Sequence, residues 1–251
     1  MQSPLFAFNE VQTQERWSLQ NEQMLRVLLQ GHDDVLARKG TMVAYQGMVE
    51  FDAEYRSESQ VRAHAYTGEG LDLMRCHGQG TVYFANLAQH VHIMEVDSEG
   101  LTVDSNYVLA MDSSLHHEVV AVDSLYGISG SGKYQLNITG HGKVALMTSG
   151  APLMMQVTPD KYVSCDADAI VAWSTGLRVQ MQAQTHSSGV WRRRGSTGEG
   201  WEISFMGSGY ALVQPSELLP PQNAMTGHGL AAQFGMGMQG ARGQNPGNVW
   251  S

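Results

Sequence analysis

Two histidines spaced two positions apart are the first residues of this sequence whose types could do chemistry. The run "QHVHIMEV" places His90 and His92 on one face of a predicted strand, with Glu95 nearby. Imidazole and carboxylate groups are common ligands of transition metals. On a regular strand Glu95 points away from His92, because side chains alternate between the two faces. We therefore expect His90 and His92 to be half-exposed strand residues, and a metal site at this pair remains the alternative.

A run of arginines is the second feature with chemical potential. "WRRRGSTGEG" places Arg192, Arg193 and Arg194 together ahead of a glycine pair. Guanidinium groups can hold a phosphate or carboxylate through two hydrogen bonds, whereas arginines in a loop are more often solvated or part of an interface. "GISGSGK" has nucleophile-elbow spacing around Ser129 but precedes a predicted strand, where that motif needs a strand-to-helix turn. We expect no catalytic residue and no cofactor.

Paired glycines flank the predicted strand in "SGSGKYQLNITGHGKVALM". A phosphate-binding glycine loop needs a following helix, whose N-terminal amides face the anion. Strand-like runs, "TVYFA", "KVALM" and "YALVQ", follow such pairs in this sequence instead. Glycine is then better explained by a β-bulge or tight hairpin that needs a positive φ. The structural glycines predicted in this way are Gly78, Gly80, Gly140, Gly142, Gly207 and Gly209.

The glycine pattern occurs three times, which indicates an internal repeat. The glycine units lie near residues 68–80, 130–142 and 198–209. A second signature, "MVAY", "VLAM" and "IVAW", begins at Met42, Val108 and Ile170, and two of these runs start 30 residues after a glycine pair. The third glycine unit has no such run after it. We infer that the N-terminal segment completes the third copy and closes the structure around a pseudo-threefold axis.

These spaced motifs, with "GQGTVYFA", "GHGKVALM" and "DADAIVAW" in order, closely resemble the family named for altered inheritance of mitochondria, member twenty-four. The resemblance spans roughly residues 20–218. It implies an all-β fold like that of the tryptophan RNA-binding attenuator protein, with three related β units, internal pseudo-threefold symmetry and a tendency to oligomerise. It implies no established reaction, and a shared fold does not carry function.

Composition narrows the class of partner. The net charge of −9 and the pI near 5.5 predict repulsion from phosphate backbones and anionic membranes, so we expect no nucleic acid and no membrane insertion. Cys76 and Cys165 lie in strand-like runs, which fits reduced thiols of a cytoplasmic protein. The N-terminus has neither a signal peptide pattern nor an arginine-rich transit segment.

The sequence divides into two parts of different character. Residues 1–219 form a predicted single β domain of three repeats, and residues 220–251 form a tail rich in glycine, glutamine and methionine. The tail is predicted to be mobile, or to order against a partner through Phe234, Met236 and Met238. We predict a non-catalytic oligomeric scaffold or binding protein, a homo-oligomer with a protein partner yet to be identified. The alternative is a small-ligand or metal-binding β protein that uses His90 and His92.

Overall fold

Antiparallel β-strands dominate the chain, and the all-β prediction is confirmed. The structure, a computed structural model, describes residues 3–54, 71–121, 134–183 and 201–216. Two short 3-10 helices, Pro4–Ala7 and Ser105–Tyr107, interrupt the strands of this part of the chain. The strand ladders of this part of the chain are antiparallel, as expected for short strands joined by tight connections.

The strands fall into three groups along the chain, here called the first, second and third repeats. The first repeat contains β1 (Trp17–Asn21), β2 (Met24–Gln30), β3 (Val35–Arg38), β4 (Met42–Ala53) and β5 (Leu73–Phe84). The second contains β6 (His90–Val96), β7 (Leu101–Val103), β8 (Val108–Asp112), β9 (His116–Ala121), β10 (Tyr134–Thr139) and β11 (Gly142–Thr148). The third contains β12 (Leu153–Val157), β13 (Val163–Asp166), β14 (Ile170–Ser174), β15 (Arg178–Ala183), β16 (Trp201–Met206) and β17 (Gly209–Val213).

Each repeat is built around the strand segment that follows its glycine pair. The end of β5 lies between β2 and β4, β11 lies between β6 and β8, and β17 lies between β12 and β14. The ladders of β4, β8 and β14 all shift register at the equivalent place, beside the first residues of "MVAY", "VLAM" and "IVAW". The repeats thus share one pairing pattern, and the rotation that would relate them as a pseudo-threefold stays a prediction.

The run "MVAY" corrects one expectation from the sequence. It begins β4, and β4 pairs with β5, the strand that carries the first glycine pair, with Tyr45 opposite Val82. "VLAM" likewise pairs with β11 and "IVAW" with β17. Each run therefore pairs with the glycine unit that follows it in the chain. The expectation that the N-terminal run completes the third copy is wrong, because spacing alone does not tell whether a strand pairs forwards or backwards.

Short strands, here called joining strands, connect neighbouring repeats. β3 lies between β5 and β8 and connects the first repeat to the second. β7 lies between β10 and β14 and connects the second repeat to the third. β13 holds the equivalent place in the third repeat, and of the strands in the described residues it pairs with β16 alone.

Apolar side chains of the joined strands form the core. All residues of β8 are buried, and β14 is buried from Ile170 to Trp173. Phe205 packs against Trp173, with ring centroids 5.4 Å apart. Tyr107 is fully buried and its hydroxyl accepts a hydrogen bond from Gln214 Nε2 at 2.9 Å. The deeply buried strands β8 and β14 each pair with a neighbouring strand on both edges.

Candidate functional site

The predicted site residues do not converge on one place. Arg192, Arg193 and Arg194 lie outside the described residues, as does the tail 220–251. His90 and His92 lie on β6. Among the described residues, no three His, Cys, Asp or Glu side chains are grouped so that they could hold a metal ion. The structure therefore lends no support to the metal-binding alternative.

The two histidines have ordinary polar neighbours. His92 Nε2 lies 2.8 Å from the hydroxyl of Thr148, and His90 Nε2 lies 3.6 Å from a carboxylate oxygen of Glu22. Burial lowers the pKa of His92 below its usual value, and the neighbouring His90 lowers it further. The neutral form of His92 is thus favoured in the folded chain.

We expect His92 to make stability fall in mild acid. Because its pKa is lower in the folded state, the unfolded chain binds the proton first as the pH falls below about 6.5. The stability that the chain has while His92 is neutral is therefore fully present above that pH and is lost below it. Between pH 7.5 and pH 5.5 the parent should lose more of its free energy of unfolding than His92→Gln does, by at most about 1 kcal/mol. Urea unfolding at both pH values measures this, and parallel pH profiles for parent and variant would contradict it.

Gly78, Gly80, Gly140 and Gly207 have the positive φ that was predicted, and for Gly142 and Gly209 that prediction is wrong. The first glycine of each pair has a positive φ: +107° at Gly78, +111° at Gly140 and +122° at Gly207. Gly209, the second glycine of the third pair, packs so closely that a Cβ there would lie 2.8 Å from the Cβ of Ser174. Strand residues follow all three pairs directly. The local geometry is that of an irregular strand, without the following helix that a phosphate loop would need.

An exposed strand edge is a feature that sequence reasoning missed. In β8, Leu109 and Met111 are fully buried, and in β14 Val171 is fully buried. The equivalent residues at the start of β4, Val43 and Tyr45, are 52% and 49% exposed. The pairing differs as well: β8 and β14 each have a joining strand on their second edge, and within the described part of the chain residues 42–46 of β4 pair with β5 alone.

Strand β13 has the complementary edge, which no strand of the described residues pairs with. Ser164 and Cys165 are half-buried, whereas Thr102 and Val103 at the equivalent positions of β7 are buried. We call residues 42–46 of β4 and strand β13 the two open edges. Alignment of "MVAY" with the two buried runs could have found them, because three equivalent apolar runs would each need an equivalent neighbour.

The two existing junctions define how the open edges would pair. In both junctions the joining strand runs antiparallel to its partner, with Ala37 opposite Ala110 and Val103 opposite Ala172. The same register places Cys165 opposite Ala44. Within the described chain, the amide of Gln46 donates to the carboxylate of Glu10 in the N-terminal segment.

Both cysteines are free, protonated thiols at neutral pH. Neither forms a disulfide. Burial raises the pKa of the Cys76 thiol to about 12, with Asp34 adding to the effect. Burial also raises the pKa of Cys165 to about 12, and the carboxylates of Asp166 and Glu202 contribute. At neutral pH both groups are thiols, and a thiol is a poor nucleophile.

The described residues form an all-β fold in which three sets of strands share one pairing pattern. A scan against protein families matched residues 17–216 to the family described as "Mitochondrial biogenesis AIM24", the same family that the repeated motifs resemble. The chain belongs to this family. The likeness to the tryptophan RNA-binding attenuator protein stays a prediction.

The solved structures contain a similar fold. An X-ray crystal structure of a protein from Streptococcus pyogenes superposes with a TM-score of 0.63 at 18% sequence identity, covering 84% of this chain and 95% of that one. At this identity the similarity shows the fold alone. The search of curated proteins returned no match. In the described residues no helix has the length and apolar character needed to cross a membrane.

Proposed function

We propose that this protein is a non-catalytic oligomeric scaffold or binding protein whose copies join through the two open edges. The observation that carries the proposal is the exposure of Val43 and Tyr45, whose equivalents in the other two repeats are buried on strands that pair with a joining strand. An unpaired strand presents a row of backbone N–H and C=O groups, which natural proteins normally cover, pair or protect with charge.

The edge of β4 lacks the usual protection. Residues 42–46, "MVAYQ", contain no charged residue and no proline. Such an edge is a template for another strand. Each copy offers one β4 edge and one β13 edge, which are different surfaces, so pairing between copies is head-to-tail. Head-to-tail contacts generate a ring when the rotation closes.

The non-catalytic part of the proposal is supported by the state of the reactive side chains. Cys76 and Cys165 are held as thiols, and His92 is held neutral beside a threonine hydroxyl. The net charge of −9 favours a protein partner over nucleic acid. A cytoplasmic location fits the sequence pattern and belongs to the same proposal.

Disulfide trapping between two differently tagged chains tests the proposed contact. One chain carries Ala44→Cys and Cys165→Ser, and the other is unchanged and supplies Cys165. Facing residues of an antiparallel pair have Cβ atoms roughly 4.5–5.5 Å apart, close to the spacing of a disulfide. We expect a cross-linked heterodimer after mild oxidation, and light scattering of the parent chain should report an oligomer at tens of micromolar.

The matched control is Tyr45→Cys in the same Cys165→Ser background, because its side chain points to the other face of β4. It should cross-link at least about tenfold less than Ala44→Cys. A parent chain that is monomeric would contradict the scaffold itself. A third chain carries Ala44→Cys and keeps Cys165. If a disulfide forms only within this chain, the open edges close within one copy, and the proposed contact is contradicted.

A further inference from the structure

A groove of about 310 Å³ lies between the second and third repeats. Its lining residues come from β6, from residues 97–101 that follow it, and from β12, β14 and β17. The lining is mostly apolar and aromatic, and it includes three acidic residues. The residues used below are Met94, Glu99, Met154, Trp173, Ser174 and Tyr210.

The corresponding place between the first and second repeats is filled by Trp17. β1 pairs with the outer edge of β2, where Trp17 lies opposite Val27. The Trp17 side chain is buried, and its indole Nε1 donates to Asp112 Oδ1 at 3.1 Å. Arg16 precedes it and forms an ion pair with Asp112. The Arg16 guanidinium also lies 3.7 Å from a carboxylate oxygen of Asp33.

Strand register shows that the two places are equivalent. Val27 lies opposite Val82 and Met94 lies opposite Val144, and both partners come two residues after a glycine pair. Met94 therefore occupies on β6 the position that Val27 occupies on β2. The edge of β2 that binds β1 corresponds to the edge of β6 that no strand of the described residues covers; at the start of β6, Val91 N donates to Glu22 O of the turn between β1 and β2 at 2.8 Å.

The polar contacts correspond as well. Asp112 and Ser174 end their strands at the same register position, and each accepts a hydrogen bond from the second residue of the strand opposite. The donors are Lys143 N at 2.7 Å and Tyr210 N at 3.0 Å. Ser174 thus stands where the acceptor of the Trp17 indole stands in the filled place.

The acidic groups correspond too. Val35 and Leu101 occupy the same position of their joining strands, since their partners Cys76 and Ile138 both lie two residues before a glycine pair. Counting back two residues from each, Glu99 corresponds to Asp33. Asp97 and Glu95 add two more acidic residues to the lining of the groove. The place that receives Arg16 in the filled site is therefore acidic in the groove.

From this correspondence we propose that the groove binds an extended peptide segment of a partner protein, in which an arginine precedes a tryptophan or similar aromatic residue. The segment adds as a strand to the free edge of β6, which is a known mode of peptide recognition. Met94, Met154 and Tyr210 supply apolar surface for the aromatic ring. Ser174 accepts from the indole N–H, and Glu99 pairs with the arginine.

The charge of the groove's lining favours a cationic peptide over a phosphate-bearing ligand. Three acidic residues and no basic residue line the groove, which disfavours phosphate and favours a cationic side chain. The N-terminal strand of a second copy is already committed to its own first repeat, where Trp17 is buried. A separate protein segment is therefore the occupant that the groove fits. The proposed strand addition uses β6, which carries neither of the two open edges, and it does not rest on the proposed oligomer.

A peptide with the sequence of residues 12–21, "QTQERWSLQN", is the natural probe, because the filled site shows how it binds. Fluorescence anisotropy of the labelled peptide against the full-length chain should show saturable binding. Replacing its tryptophan by alanine should weaken binding roughly tenfold or more, as expected for a buried aromatic anchor. Replacing its arginine by glutamate should also weaken binding.

Two protein variants locate the site. Met154→Glu places a charge in the groove and should abolish binding, while Leu153→Glu, the next residue and 58% exposed, should not change it. Glu99→Lys should weaken binding of the arginine peptide and restore binding of the glutamate peptide. The proposal is overturned if the peptide shows no saturable binding at millimolar concentration, or if the alanine peptide binds equally well. It is also overturned if Met154→Glu binds the peptide as the parent does, because the peptide would then be displacing β1.

Discussion

Replacing Gly78 with alanine is expected to destabilise the chain by about 3 kcal/mol or more, or to prevent folding. An alanine Cβ at this position would lie 2.3 Å from the carbonyl oxygen of Met48, and it would also require a φ of +107°. The oxygen belongs to the backbone of β4, which pairs with β5 along almost its whole length. The neighbour therefore cannot move without breaking that ladder, and urea unfolding measures the cost.

Gly40→Ala is the matched control. Gly40 also has a positive φ, +82°, and a Cβ there would meet no atom within 4 Å. Its substitution carries the backbone strain without the collision, which we expect to cost about 1–2 kcal/mol. Equal losses in the two variants would mean that β4 is not held against β5 at Gly78.

Removing the carboxylate of Asp112 should have the second large effect. Asp112 is buried and accepts from Trp17 Nε1, from the backbone N–H of Lys143 and from the guanidinium of Arg16. In Asp112→Ala these donors lose a shared acceptor, and a partly buried arginine loses its nearest counter-charge. Removing one partner of such a pair typically costs about 3–5 kcal/mol. We expect this loss in urea unfolding, together with rapid tryptic cleavage after Arg16 as β1 detaches.

Ser174→Ala removes the equivalent acceptor of the third repeat and serves as the control. Ser174 accepts from the backbone N–H of Tyr210. A single neutral hydrogen bond contributes about 1 kcal/mol, so this variant should lose far less stability and should keep Arg16 protected. If both variants unfold at the same urea concentration, the Asp112 carboxylate is not what holds β1 on the fold.

Local patterns predicted the strands well. Alternating apolar runs such as "YQLNI" marked half-buried strands, and the paired glycines marked irregular strand geometry, because each feature depends on backbone conformation within a few residues. The repeat was visible for the same reason. The family, too, followed from motifs that can be read in order along the chain.

Long-range partners were beyond those patterns. Nothing near Trp17 in the sequence indicates that its indole donates to Asp112, 95 positions away. The partner of "MVAY" was assigned to the wrong glycine unit because periodicity fixes which residues share a face and leaves open which strand they face. The open edges and the groove depend on such pairings, and therefore they became visible only in the structure.

The joining strands set an order of events during synthesis. β3 ends at Arg38, and its second neighbour, β8, is complete only at Asp112. At ribosomal speeds of about 5–20 residues per second, β3 must wait roughly 4–15 s for that neighbour. Trp17 must wait longer, roughly 5–19 s at the same speeds, because its acceptor Asp112 follows 95 positions later. Throughout this interval the apolar strands of the nascent first repeat are exposed, which makes them natural substrates for chaperones that guard unfinished chains.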